Sequence, residues 1–453
     1  MITKNIKPFT ATRNACKVCA PLGASMAFAG IDGAITLLHG SQGCSTYIRR
    51  YMISHFKEPI DIASSNFGET SVIFGGGSNF ETAMLNVIKQ YEPKLVGIAT
   101  TCLAETIGDD VNIFISQFQT KYKDYNLPEI VSVSTPSYKG THAEGFYKTL
   151  RAIVETLAVE KTQPANKINI VPGMASPADI RFLKDVIADF GAGSTVLPDY
   201  SETLDGGSWT NFHRIPPGGT KIEDIAAMPD AKATIEFGST LNFSKTAGAM
   251  LNEKFDVPHY TMPLPIGIKN TDRFFNALEQ ITGRTLPDKY LSQRGRLQDA
   301  YIDAHKYAFG NKAIVYGEED LVVAMATFLA EIGVIPALCA SGAKSGTLEK
   351  AIHQAVPQMK DKITVVDGKD FIEIEQYAAQ IKPDLIVGNS KGFTLSRKIG
   401  VPLVRVGFPI HDRVGGARIR VMGYCGTEQL FDRVINTIIE KRQQDSPVGY
   451  TYM

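Results

Sequence analysis

The chain has 453 residues, 44% hydrophobic and 21% charged, which is enough apolar material for several packed domains and excludes a disordered or fibrous protein. Its 47 basic residues are matched by 47 acidic ones, which argues against a nucleic-acid binder working through a broad basic face. No run approaches the roughly 18 apolar residues of a membrane span, and residues 1–8 lack the apolar core of a secretory signal, so the expectation is a cytoplasmic protein.

Taken in chain order, apolar β-branched runs alternate with amphipathic helical patterns, the sequence form of parallel sheets covered by helices. Residues 93–101 read as a buried strand that delivers Cys102 at its carboxyl end, where open α/β sheets place their ligands. After the polar, proline-containing stretch 160–166, Lys167–Val171 predicts a strand. Ser176 then caps a helix with Ile180, Leu183, Val186, Ile187 and Phe190 on one face, and Gly191 ends it. Residues 201–208 and 216–219 predict surface excursions. A third unit begins near Asn311, with strands at 313–317, 362–366, 384–387 and 401–406 and helices from near Glu318, Lys369 and Lys391. The predicted fold class is α/β, with three Rossmann-like open parallel sheets in units 1–162, 163–310 and 311–453, the last ending in a helical tail; each has about 140–160 residues, an ordinary domain size.

Nucleotide motifs fail. The glycines at 75–77 have no P-loop lysine, and the 341–347 stretch has the wrong order, so a turn or helix-packing role is the reading for both. The eight histidines are dispersed, without a zinc-binding pair at helical spacing.

Six cysteines are too few for a disulfide scaffold in so long a chain. Cys16, Cys19, Cys44 and Cys102 crowd the first quarter, while Cys339 and Cys425 stand alone. The Cys16/Cys19 pair has no second pair to complete a zinc site, nor the strand-to-helix setting of a redox motif. Cys19, Cys44 and Cys102 lie on three separate turns flanked by small residues. That arrangement suits either an iron–sulfur cluster gripped from several directions or inert buried thiols.

The stretches Cys-Ala-Pro-Leu-Gly-Ala at 19–24, His-Gly-Ser-Gln-Gly-Cys at 39–44, His-Phe-Lys-Glu-Pro at 55–59, Thr-Thr-Cys-Leu-Ala-Glu-Thr-Ile-Gly-Asp-Asp at 100–110, Ser-Thr-Pro-Ser-Tyr at 134–138 and Gly-Phe-Pro-Ile-His-Asp-Arg at 407–413 resemble the β-type subunit of nitrogenase component 1. The resemblance runs over essentially the whole chain, without the long amino-terminal extension of some catalytic β subunits. It implies that Cys19, Cys44 and Cys102 hold half of a P-cluster-type [8Fe-7S] or [4Fe-4S] cluster shared with an α-type partner in an α2β2 heterotetramer. Ser137 matches a serine that can ligate the oxidised cluster, or is a cap hydroxyl. Tyr47 matches a tyrosine near the electron path, or is a half-buried aromatic. Phe74 matches the residue that docks an ATP-hydrolysing iron protein, or is a core phenylalanine. Glu58, Asp299 and Asp303 match ligands of a calcium or iron ion between β-type subunits, or are a solvated acidic face. The FeMo-type cofactor is expected in the partner, leaving no catalytic residue in this chain. The same family includes cofactor-assembly scaffolds and reductases of other substrates, such as methylthioalkanes. The full cysteine set favours a reductase, while the segments at 415–418, 423–431 and 448–453 look more like the scaffold type. A cluster-free α/β ligand-binding protein is the reading from another class.

Overall fold

The computed structural model describes residues 14–448; residues 1–8 and all but the first of residues 448–453 lie outside the described residues. Three parallel sheets follow one another along the chain. The first contains β1 (Ala34–His39), β2 (Ile62–Ser64), β3 (Leu95–Thr100) and β4 (Glu129–Val133), in the order β2-β1-β3-β4. The second contains β5 (Lys167–Val171), β6 (Gly193–Val196), β7 (Ala233–Phe237) and β8 (His259–Met262), ordered β6-β5-β7-β8. The third contains β9 (Lys312–Gly317), β10 (Ile335–Ser341), β11 (Thr364–Val366), β12 (Leu385–Gly388) and β13 (Leu403–Arg405), ordered β11-β10-β9-β12-β13. Every strand pairing in them is parallel, and helices cover the faces, as the alternating pattern predicts. Among the described residues no helix is long and apolar enough to cross a membrane.

The expected strands are present with shifts of a residue or two at their ends. Strands β1, β2, β4, β6, β7, β8 and β10 have no counterpart in the sequence reading, and β10 is interrupted by Pro336. The fold accommodates that proline at an irregularity, where the register with β9 shifts between Ile335 and Leu338. The 342–347 loop that follows is a packing turn: a Cβ on Gly342 would lie 2.6 Å from the Cys16 backbone. The close approach excludes a larger residue at that position.

The helices that matter for the site are α1 (Ala20–Ala29), α2 (Gln42–Phe56), α3 (Glu69–Phe74), α4 (Gly77–Tyr91), α5 (Cys102–Ile107), α6 (Val111–Lys121), α7 (His142–Leu157) and α8 (Pro177–Asp189). α1 is almost wholly buried and lies against α7. Glycines permit the contact: a Cβ on Gly23 would fall 1.7 Å from the His142 carbonyl oxygen, and one on Gly145 2.0 Å from that of Ala20. Ser176 caps α8 as expected, its Oγ accepting from the Asp179 N–H at 3.0 Å.

The units are stitched together by buried polar groups. Asp179 Oδ1 accepts from the backbone of Val421 and Met422 at 2.9 and 2.8 Å, and burial pushes its carboxyl pKa up. Just beyond, the carboxyl-terminal helix Gly423–Asp445 packs on Asp288–Ala308. The tail assigned to the third unit therefore closes over the second.

Candidate cysteine site

The first sheet's register builds the site. Parallel pairing of β1 with β3 sets His39 opposite Thr100, so the turns into α2 and α5 leave the sheet side by side at its carboxyl edge. Cys44 lies in the first turn of α2 and Cys102 is the first residue of α5. The loop after β4 is pinned beside them: the Thr135 hydroxyl donates to the Thr100 carbonyl at 2.7 Å, and the Thr135 N–H donates to the Thr100 hydroxyl at 2.9 Å. Cys19 is the N-cap of α1, held by a bridge to Thr141 and by the His142 N–H donating to the Val18 carbonyl at 3.1 Å. A capping box between Thr141 and Glu144 fixes the start of α7 behind it.

Ser137 joins two of the cysteine turns. Its N–H donates to Cys102 Sγ at 3.2 Å, and its Oγ accepts from the Ala20 N–H at 3.2 Å. Ser41 Oγ lies 3.7 Å from Cys44 Sγ. All three thiols are free; Cys19 is exposed, Cys44 and Cys102 are half-buried, and a Cβ on Gly43 would meet no protein atom within 4 Å. Three accessible sulfurs, one already accepting an N–H···S bond, bordered by open space, fit a soft multi-iron cluster. Among the described residues, no three His, Cys, Asp or Glu side chains converge on a position for a single ion.

Cys16 differs completely from Cys19. It is buried in the third unit's core beside Tyr316, and burial pushes its thiol pKa up to about 12, with Lys391 opposing the rise. It is a packing thiol. Lys391, which the sequence marks only as a helix start, reaches this region: its Nζ donates to the Lys17 carbonyl at 3.1 Å, and the cation stands within electrostatic reach of Cys16 and Cys19 while burial lowers its pKa. Nothing in the sequence spacing brings it there.

Tyr47 is 64% exposed, one turn along α2 from Cys44, and Phe74 is 81% exposed at the end of α3, with Val72 and Ile73 exposed beside it. Neither the half-buried reading of Tyr47 nor the core reading of Phe74 holds. Glu58 is half-buried in the loop after α2, where burial and then Asp205 raise its pKa against Arg418. Asp299 and Asp303 lie exposed on Asp288–Ala308.

A family model described as "Nitrogenase component 1 type Oxidoreductase" matches residues 19–439. The chain belongs to this family. This component 1 chain is 35% identical over 446 residues to the nitrogenase molybdenum-iron protein beta chain of Methanococcus maripaludis, covering 96% of each. It is 32% identical over 437 residues to the nitrogenase iron-molybdenum cofactor biosynthesis protein NifN of Bradyrhizobium diazoefficiens, covering 95% of this chain and 90% of that one. Among solved structures it superposes on "Nitrogenase Cp1 at pH 6.5" with TM-score 0.94 and 33% identity, covering 100% of this chain and 99% of the other. It is thus a β-type member of a nitrogenase-family oxidoreductase, and membership implies iron–sulfur chemistry.

Proposed function

We propose that the chain is the β-type subunit of a component 1 reductase, with domains at 1–162, 163–310 and 311–453. In this reading Cys19, Cys44 and Cys102 hold half of a P-cluster-type [8Fe-7S] or [4Fe-4S] cluster against an α-type partner in an α2β2 assembly. The observation that carries it is the pairing of the Cys44 and Cys102 turns at one sheet edge, with the Cys19 turn tied to that of Cys102 through Ser137, all three thiols free and open space at Gly43. Such a cluster supplies electron storage and transfer through thiolate-bound iron. The chain's own part is to fix sulfur positions, to donate the Ser137 N–H to Cys102, to present Tyr47 beside the α2 turn and to offer Phe74 to an ATP-hydrolysing iron protein. Substrate reduction, of dinitrogen or of another small molecule such as a methylthioalkane, belongs to a FeMo-type cofactor in the partner. Glu58 from one copy and Asp299 and Asp303 from another would share a calcium or iron ion between β-type subunits, since the three acids do not form a single-ion site within one copy.

The likeness to the cofactor biosynthesis protein supports a second reading, a scaffold on which the FeMo-type cofactor is assembled. Anaerobic purification of the complex with its partner, followed by iron and acid-labile sulfide analysis, tests the cluster; absence of both sinks it. Turnover of acetylene, dinitrogen or a methylthioether with iron protein and ATP is the expected result. No turnover, together with transfer of a cofactor to a recipient apo-protein, establishes the scaffold instead.

A further inference from the structure

We propose that Asp109 is a positioning residue that couples the surface at Phe74 to both cysteine turns of the first sheet, so that a protein docked on Phe74 acts on the Cys44 and Cys102 turns through it. This rests on the cluster and docking assignments above. It adds to them a route made of this chain's own buried groups.

The route begins two residues after Phe74. The Gly76 N–H donates to both carboxylate oxygens of Asp109, at 3.2 and 3.1 Å, between α3 and α4. Gly76 has no room for a side chain: a Cβ there would lie 2.3 Å from the Phe67 ring and 2.6 Å from Asp109 Oδ2. A shift of the 74–76 loop toward these groups therefore displaces Asp109, Phe67 or both, and a shift away pulls on the Gly76–Asp109 hydrogen bonds. Asp109 and Phe67 each touch His39. Asp109 Oδ2 lies 3.0 Å from His39 Nε2, and the Phe67 ring meets the imidazole edge-on at 4.8 Å between centroids. Because the carboxylate accepts from Gly76, Nε2 carries the proton of this hydrogen bond and donates it.

His39 is the last residue of β1 and stands between the two turns. Its carbonyl accepts from the Thr101 N–H at 3.1 Å, immediately before Cys102, and its chain runs on through Gly40 and Gly43 to Cys44. Gly40 is locked against the same neighbour, since a Cβ there would lie 1.9 Å from Thr101 Oγ1. Asp109 itself closes the far end of α5, its N–H donating to the Ala104 carbonyl at 3.2 Å. The carboxylate thus bonds to the docking loop on one side and to the β1 end on the other, while its backbone holds the helix that Cys102 begins. The His39 side chain is fully buried and that of Asp109 is 6% exposed, so solvent has little access to the bond between them.

The test uses the complex with its α-type partner, titrated with iron protein, reading the cluster's midpoint potential and electron paramagnetic resonance signal with and without the docked protein. Wild type should show a docking-induced shift. Asp109→Asn, which has a single acceptor oxygen and sets an NH2 donor where the second carboxylate oxygen accepts from Gly76 or His39, should keep wild-type iron content and resting potential but lose the shift. His39→Leu should lose it too, whereas His39→Gln, which keeps an N–H donor toward Asp109, should retain it. A full shift in both Asp109→Asn and His39→Leu overturns the coupling and leaves the cluster assignment standing, as does loss of iron from both variants before any docking, which reduces the pair to structural support. Wild-type complex without iron, or without affinity for iron protein, overturns the parent assignment and the coupling together.

Discussion

At the residue scale, the amino-terminal cysteines divide by what surrounds each sulfur. Cys19 and Cys16 are twins in the sequence, two residues between them, and only family resemblance separated their roles. In the fold Ala15 bridges to Asp370, which carries Cys16 into a core built from residues about three hundred or more positions away, a contact that spacing cannot reveal. Raised to about 12 by burial, Cys16 is a protonated thiol at pH 8 and should resist iodoacetamide in the unassembled chain, while exposed Cys19 reacts first; mass spectrometry of the alkylated peptides distinguishes them, and early labelling of Cys16 contradicts its burial. In the assembled complex, Cys44→Ala should lose cluster iron. Cys339→Ala, a deletion inside β10, should keep the iron and cost about 1 kcal/mol of stability. Equal iron retention in the two variants would remove Cys44 from the ligand set. Cys102, by contrast, was legible from the sequence, because a continuous apolar strand announces its own carboxyl end.

At the level of elements, the site depends on how closely α1 and α7 approach. Cys19 has no strand of its own; it caps a helix whose position is set by backbone-to-backbone contact at Gly23 and Gly145. Gly145→Ala must push its methyl into the Ala20 carbonyl. The expected cost is about 1–3 kcal/mol, read by urea denaturation, accompanied by reduced iron occupancy because the α1 cap shifts with the helix. Gly43 gives the opposite expectation. It sits in the first turn of α2 facing open space, so Gly43→Ala should stabilise the unassembled chain by up to about 1 kcal/mol through helix propensity. If the cluster fills that space, the same methyl lowers iron loading in the complex; unchanged loading would show that the cluster lies elsewhere. None of this pairing of helices was readable beforehand. The amphipathic pattern of α8 appears in its sequence because one face meets solvent, but α1 is buried nearly all round and carries no such pattern. β10 was hidden for a related reason: Pro336 argues against a central strand until the register shift that accommodates it is seen.

Across the whole molecule, three successive sheets were legible because β-branched runs recur at domain-sized intervals, whereas the contacts that close the units on one another were not, being made by single side chains far apart in sequence. His55 is the clearest case. Its Nδ1 accepts from the Ile410 N–H at 2.9 Å, and its ring packs edge-on against Phe408, joining the end of α2 to the loop after β13. Burial lowers its pKa to about 4. The folded state therefore holds it neutral, while the unfolded chain takes up a proton below about pH 6.5. Between those values the unfolded state binds more protons, so the contribution of His55 to stability is present above pH 6.5 and is lost as pH falls toward 4, a loss of up to a few kcal/mol. Buried Asp179, Glu319 and Asp320 have raised pKa values and act in the opposite direction, favouring the folded state as they take up protons, so the acid dependence of the intact protein is a balance. The His55 part is isolated by comparison with His55→Asn, whose Oδ1 takes the place of Nδ1 as acceptor but does not titrate. Wild type should be the more stable at pH 7.5, and the gap should narrow steadily down to pH 4.5 in urea unfolding. A gap independent of pH would mean that His55 is not held neutral at this junction, and that its contact with Ile410 does not join the first and third units in solution.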